Sequence, residues 1–231
     1  MIKRIINNTF LKSVLTLSGG TIIGQIITFI AAPIMTRLYT PEEIGIYTLI
    51  ITAVSMFGSI IAGRYDMSIV TEENNKNVFA LVKLSLLISL ISSILISLVY
   101  TLFYYTTATV EISFIFFFMS ICFLLFLTGM RLITVAFNNR EEHYRLISKS
   151  SVYEAVNKEF SLIGMGLLAP SYVSLVFSHI IGRITNISIQ IKKSNVNIAN
   201  IRDIKWKNVK LVAQKYKNQP IYSVPALFGE L

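Results

Sequence analysis

The sequence predicts an all-α protein, a polytopic bundle of about six transmembrane helices. Of its 231 residues, 54% are hydrophobic and only 14% are charged, and the mean hydropathy is +0.65. A soluble globular chain carries about 25% charged residues. The apolar residues fall in blocks long enough to cross a hydrocarbon core about 30 Å thick. This pattern indicates membrane spans rather than the core of a soluble domain.

The first predicted span covers residues 14–38. Its apolar sequence is longer than the signal-peptide core of about 7–15 residues, so we interpret it as a retained helix. Gly20 and Gly24 have the small-xxx-small spacing that lets a second helix approach closely. Gln25 lies near the middle of this span, where an amide is typical of a contact between helices and is also a candidate ligand.

The second predicted span covers residues 41–63. Residues 40–43, TPEE, supply an N-cap threonine, a proline at the first helical position and a capping-box glutamate. Arg64 then lies roughly 35 Å along the helix axis, at the membrane boundary, where a long side chain reaches the surface at little cost. Asp66 is about 200° further around a helix, so it cannot pair with Arg64 within one helix.

Three more apolar segments predict further spans. They cover residues 78–103, 112–136 and 171–191. Arg131, near the end of the second of these, is either a boundary anchor or a ligand for an anionic group. Arg37, near the end of the first span, has the same two interpretations.

The segment 147–168 predicts a fifth span of a different kind. Its apolar residues form one helical stripe, and Glu154 and Lys158 lie on another. Such a helix either lies partly at the interface or spans the membrane with its polar face toward a water-filled cavity. Glu154 and Lys158 also have i, i+4 spacing, so a further interpretation is that the two side chains form an ion pair and neutralise each other.

Residues 192–219 predict a basic amphipathic linker helix on the cytoplasmic side. An apolar face surrounded by lysines is typical of a helix on a surface of anionic membrane lipids, and equally of a solvated linker between two halves. Residues 220–231 open another apolar segment, which we interpret as the start of a seventh span.

The distribution of basic residues predicts the orientation. With six crossings, every one of the 21 lysines and arginines except Arg37 falls on one side, so both termini are predicted to be cytoplasmic. Aromatic residues cluster at the predicted outer interface: Tyr39, Tyr100, Tyr104, Tyr105 and Tyr172.

Several functional classes lack support in the sequence. Cys122 is the single cysteine, and His143 and His179 form no ligand-spaced pair, so we expect no disulfide and no metal centre. No phosphate-cradling glycine loop is present. We therefore expect no enzyme, no cofactor and no nucleic-acid partner.

Two stretches resemble a known family. LSGGTIIGQIITFIAAPIMTRLYTPEEIGIYTLI, at 17–50, and GRYDMSIV, at 63–70, resemble the start of bacterial polysaccharide repeat-unit flippases. These are the O-antigen and capsule transporters of the polysaccharide transport family, within the multidrug/oligosaccharidyl-lipid/polysaccharide superfamily. The basic loop FNNREEHYRLISKSS, at 137–151, is also similar to theirs. The likeness is densest over 15–75 and extends to about 190.

The resemblance implies that the chain corresponds to the N-terminal lobe, residues 1–191, of a transporter with two similar lobes. One lobe cannot enclose a central cavity. We therefore expect a truncated product, a second polypeptide that supplies the other half, or self-association. An inactive half-length remnant is a further interpretation.

The resemblance also implies a cargo and a location. The cargo is an undecaprenyl-pyrophosphate-linked oligosaccharide, flipped across the cytoplasmic membrane of a bacterium by alternating access. Arginines suit its diphosphate through bidentate contacts. The candidate substrate-binding residues are Arg64, Arg131, Arg37 and Gln25, and the candidate ion-coupling or cavity residues are Asp66, Glu154 and Lys158. The alternative is a cation-coupled drug or metabolite antiporter of the same superfamily.

Overall fold

The computed structural model describes residues 9–107, 112–194, 201 and 204–222, and within these ranges the chain is all-α. The helices, in chain order, are α1 (Thr9–Leu38), α2 (Pro41–Gly58), α3 (Tyr65–Thr71), α4 (Asn75–Thr107), α5 (Phe114–Arg140), α6 (Tyr144–Leu168), α7 (Tyr172–Lys193) and α8 (Trp206–Lys215), followed by a 3-10 turn at Gln219–Tyr222. The predicted fold class, an all-α helical membrane bundle, is confirmed.

Among the described helices, three are long and apolar enough to cross a membrane. They are Ser13–Leu38, Asn75–Thr107 and Phe114–Arg140. The other predicted spans correspond to α2, α6 and α7, which are also helical. The number of six crossings therefore stays a prediction.

The second predicted span, 41–63, is a helix only as far as Gly58, and residues 59–64 form turns. Gly63 and Arg64 both have left-handed backbone angles, with φ of 60° and 62°. Two consecutive left-handed residues cannot continue a right-handed helix. The start of α2 has the expected capping box, since the Thr40 amide donates to Glu43 at 2.8 Å and the Glu43 amide donates back to Thr40 Oγ1 at 3.3 Å.

The chain forms two compact units. The first contains Met1–Tyr47 and Asn138–Asn195, and the second contains Thr48–Phe137 and Val196–Leu231. In the first unit, α6 packs against both α1 and α7. The contact with α1 is close, because a Cβ added to Gly20 would lie 2.7 Å from the carbonyl oxygen of Ser148.

The second unit has an apolar core around α4. Its buried members include Ile69 of α3, Val78 and Leu81 of α4 and Phe137 of α5. Val212 of α8 is buried in the same cluster. Helix α8 therefore completes the core of this unit with its apolar face.

Polar contacts hold the linker segment in place. Lys215 Nζ lies 2.6 Å from Glu72 Oε2, and the Tyr216 hydroxyl donates to the same oxygen at 2.9 Å. Lys83 Nζ donates to the carbonyl oxygen of Ile204 at 2.8 Å and lies 5.5 Å from the centroid of the Trp206 ring. We call the contact of Glu72 with Lys215 and Tyr216 the latch.

The latch and the buried Val212 change the interpretation of the predicted linker helix, 192–219. Within it, the apolar face of α8 lies against α4. Contact of its lysines with anionic lipids stays a prediction. Residues 195–200 and 202–203 lie outside the described residues, as do residues 223–231 of the predicted seventh span.

Candidate functional site

A chain of polar side chains lies within the first unit. Glu154 of α6 accepts hydrogen bonds from Arg183 Nη1 and Asn186 Nδ2, each at 2.8 Å. Asn186 Oδ1 accepts a hydrogen bond from the side-chain amide of Gln190. The Gln190 carbonyl in turn accepts from Asn138 Nδ2 at 3.2 Å. We call these five residues the polar chain.

The local sequence explains why these side chains meet. Arg183, Asn186 and Gln190 are spaced three and four residues apart, so they share one face of α7. Gly182 brings this helix close to α6, since an added Cβ would lie 3.0 Å from the Glu154 carbonyl oxygen. The two hydrogen bonds of Glu154 therefore cross a tight helix contact, whereas the Asn186–Gln190 bond lies within α7.

Further polar pairs lie in the same unit. Lys158 Nζ lies 2.7 Å from Glu159 Oε1, and Glu159 is buried. The Tyr47 hydroxyl and His179 Nδ1 are 3.0 Å apart. The ion pairs in the structure are Glu154 with Arg183 of α7 and Lys158 with the adjacent Glu159, so each residue of the i, i+4 pair has another partner.

Burial makes the polar chain costly unless it is internally satisfied. Asn138, Asn186 and Gln190 are all fully buried, with exposures of 0%. An ionisable residue within a membrane helix costs about 2.5–3.5 kcal/mol on insertion scales, and such residues face the interior of a bundle or a cavity. Pairing of Glu154 with Arg183 offsets this cost. By the same principle the polar chain is a functional-site candidate.

A basic cavity of about 510 Å³ lies at one end of the first unit. It is lined by residues of α1, the α5–α6 turn, α6 and α7, and the polar and charged residues that matter below are Ser13, Thr16, Glu142, Arg145, Lys149 and Lys193. None of these was singled out as a site residue from the sequence. Three of them, Glu142, Arg145 and Lys149, lie in the loop 137–151, and the basic character of that loop was a usable sequence signal.

Gln25 lies on an exposed face of α1 that carries several polar residues. Ser18, Thr21, Thr28 and Thr36 share this face at helical spacings, and the exposed apolar residues Val14 and Phe29 lie on it as well. A polar helix face at membrane depth is tolerated beside protein or a water-filled cavity. Gln25 therefore occupies a position that suits a cavity-lining residue.

Arg64 and Asp66 lie in the second unit, at the start of α3. Arg64 is the N-cap residue, and its Nη1 makes one long contact, 3.5 Å, with the carbonyl oxygen of Ser59. Asp66 is 5% exposed, and its Oδ1 has no hydrogen-bond partner within the part of the chain that the structure describes. Burial raises the pKa of this carboxyl above its ordinary value, although the charge of Arg64 acts in the opposite direction.

The two remaining candidate residues lie in different units. Arg37 is exposed on α1 in the first unit, and Arg131 is half-buried on α5 in the second. Of the seven candidates, Glu154 alone belongs to the polar chain. The sequence reading missed Arg183, Asn186 and Gln190, although their spacing within an apolar segment was a usable signal.

A family model described as "Polysaccharide biosynthesis protein" matches residues 10–216. The chain belongs to the polysaccharide biosynthesis protein family. This family includes O-antigen flippases, and its members are transporters. No curated protein and no solved structure matches the chain.

Proposed function

We propose that the chain takes part in flipping undecaprenyl-pyrophosphate-linked oligosaccharide repeat units across the cytoplasmic membrane of a bacterium. The observation that carries this proposal is the polar chain, an ion pair and three buried amides inside a membrane bundle of this family. Alternating access supplies the mechanism: one lobe rocks against another around a central cavity.

The polar chain suits this task because the cargo carries sugar hydroxyls and a diphosphate. A carbohydrate moves through a membrane only where side chains or water replace its hydrogen bonds. Exposed polar residues such as Gln25 on α1 supply uncharged partners for hydroxyls. The polar chain keeps α6 and α7 in register behind that surface, as one rigid polar body.

The diphosphate requires cationic partners. Arg64 is the first candidate, since the left-handed backbone at this position projects it from a turn rather than from a helix face. Arg131 and Arg37 are further candidates. Arginine binds a phosphate through two parallel hydrogen bonds, which gives both affinity and orientation.

The alternative function, cation-coupled antiport, is favoured by one observation, the buried carboxyl of Asp66 with an oxygen that lacks a partner. Glu154 argues against it, because both of its oxygens already accept hydrogen bonds from Arg183 and Asn186. A carboxylate that is satisfied in this way is a poor ligand for a transported cation. We therefore favour flipping of an anionic, lipid-linked cargo.

Deletion of the gene tests this proposal. We expect lipid-linked repeat units to accumulate inside the cell and surface polysaccharide to fall. The variant Arg64→Ala should reproduce part of this loss, whereas Lys76→Ala, which changes another basic residue of the same unit, should not. Normal surface polysaccharide without accumulation in the deletion strain would contradict the proposal, and normal polysaccharide with Arg64→Ala would remove Arg64 from it.

A further inference from the structure

We propose that the basic cavity is a docking site for the diphosphate head of a membrane lipid carrier. It is separate from the polar chain, and it deepens the proposed function by naming where the carrier first binds. The identity of the carrier rests on that proposed function, whereas the binding chemistry rests on the cavity alone. The cavity lies on the side of the membrane that the basic residues predict to be cytoplasmic.

The charges of the basic cavity favour an anion. Arg145, Lys149 and Lys193 line it together with one carboxylate, Glu142, so the cations outnumber the acids by three to one. A lysine or arginine bound to a phosphate forms charge-assisted hydrogen bonds, about twice as strong as neutral ones. Basic pockets between membrane helices are typical binding sites for lipid head groups.

The backbone adds to this preference. The first turn of α6, beginning at Tyr144, lines the cavity, and this turn contains no acidic residue. The N-cap residue, His143, makes no side-chain capping hydrogen bond. The amides and the positive end of the helix dipole therefore act in the same direction as the three cations.

The size and surroundings of the cavity favour a lipid over a free ion. A volume of about 510 Å³ lies in the range of small-molecule sites, about 300–1,000 Å³, and far exceeds the needs of one phosphate ion. Ser13 and Thr16 supply hydroxyls at its edge on α1. Between them, Val14 and Leu15 are 41% and 61% exposed, and they begin the apolar surface of that helix. A lipid can therefore place its head in the cavity and its chain along α1.

Binding to the full chain in nanodiscs of zwitterionic lipid tests the proposal without any transport step. The ligands are undecaprenyl pyrophosphate, phosphatidylglycerol and inorganic pyrophosphate, measured separately. The test variant is the triple change Arg145→Gln, Lys149→Gln and Lys193→Gln. The matched control is Lys192→Gln, because Lys192 is exposed at the same helix end and does not line the cavity.

We expect undecaprenyl pyrophosphate to bind at least tenfold more tightly than phosphatidylglycerol, because a diphosphate offers more acceptors to the three cations. The triple variant should lose roughly a hundredfold in affinity for it, and Lys192→Gln should bind normally. Thermal melting of the triple variant should match the wild type, and Lys149→Gln alone should lose roughly tenfold in affinity if the triple variant misfolds.

Equal or tighter binding of phosphatidylglycerol would overturn the assignment to a diphosphate carrier. Equal binding of free pyrophosphate would overturn the role of the lipid chain. Unchanged affinity in the triple variant, or in Lys149→Gln, would overturn the site itself. Failure of the proposed function is a different result: accumulation would be absent in the deletion strain while the binding differences remained.

Discussion

Two sets of buried polar groups, the polar chain of the first unit and a row of hydroxyls in the second, are satisfied in different ways. In the first unit, half-buried charges and buried amides bond across helices, as Glu154 does with Arg183 and Asn186. In the second unit, the buried polar residues of α4 are hydroxyls: Ser85, Ser89, Ser93, Ser97 and Thr101. They fall at every fourth position and face inward, and we call these five residues the hydroxyl stripe.

The hydroxyl stripe serves packing rather than chemistry. Ser93 and Ser97 donate to the carbonyl oxygens of Leu90 and Ile94 in their own helix, at 2.8 and 3.1 Å. A Cβ added to Gly129 of α5 would lie 2.5 Å from Ser89 Oγ, so small residues let two helices approach closely. From this contrast we infer that the polar chain, which is charged and connected between helices, marks function, whereas the hydroxyls of α4, which are neutral and bonded locally, serve packing.

We expect the largest loss of stability from a variant of the ion pair in the polar chain. Glu154→Gln leaves Arg183 without its carboxylate in a pair whose side chains are 18% and 16% exposed, so we expect a cost below the about 3–5 kcal/mol of a fully buried pair. The double variant Glu154→Gln/Arg183→Gln removes both charges and keeps hydrogen-bonding groups. We expect its thermal unfolding temperature in detergent to lie close to that of the wild type and well above that of the single variant. Equal destabilisation of both would show that the pair does not act as a unit.

The next effect concerns the contact between α1 and α6. An added Cβ at Gly20 would lie 2.7 Å from the backbone oxygen of Ser148, so we expect Gly20→Ala to cost about 1–3 kcal/mol of stability. Gly19 is the matched control, since nothing lies within 4 Å of its added Cβ. There, alanine should stabilise the helix by about 0.5–1 kcal/mol. A melting temperature that changes in the same direction for both variants would contradict this packing.

The latch of the second unit predicts a smaller, pH-dependent effect. Burial alone would raise the pKa of Glu72, but hydrogen bonds from Lys215, the Asn74 amide and Tyr216 outweigh it and hold the pKa at about 2. Because the folded pKa is lowered, the latch is complete above the ordinary glutamate value of about 4.3 and is lost as the pH falls through about 2.

Trp206, the single tryptophan, reports the state of the latch by its fluorescence. We expect Glu72→Gln to weaken docking of α8 by about 1–2 kcal/mol and to change the Trp206 emission at neutral pH. Wild-type emission should change in the same way only on acidification toward pH 2. The exposed neighbour, Glu73→Gln, is the control. Emission that is identical in Glu72→Gln and the wild type would exclude the latch as a docking contact.

The smallest effect is expected in the hydroxyl stripe. Ser85 Oγ and Ser89 Oγ are buried and have no hydrogen-bond partner among the residues described. Replacing such a hydroxyl by alanine removes an unsatisfied polar group, so we expect Ser85→Ala and Ser89→Ala to change stability by less than about 0.5 kcal/mol. A loss as large as that of Glu154→Gln would remove the distinction between the two units.

The fold class could be predicted from the sequence because long apolar blocks and a capping box are local signals. The end of α2 at Gly58 could not, because left-handed angles at Gly63 and Arg64 interrupt a segment whose hydrophobicity continues. Hydropathy records which residues are apolar and not where the backbone turns.

The candidate site could be predicted only in part, for a related reason. Glu154 stood out as an acid in an apolar segment, but its partners Arg183 and Asn186 lie about thirty positions further on, as the sequence separations of 29 and 32 show. Such pairing depends on the packing of α6 on α7 at Gly182. Without that contact, i, i+4 spacing favoured Lys158 as the partner of Glu154.

The most direct test of the central claim compares the two units in the cell. The double variants Glu154→Gln/Arg183→Gln and Ser85→Ala/Ser89→Ala are placed at the chromosomal locus, and surface polysaccharide and lipid-linked repeat units are quantified at matched protein levels. We predict that the first variant loses surface polysaccharide and accumulates repeat units, while the second behaves as the wild type. Normal polysaccharide from the first variant would contradict a functional role for the polar chain.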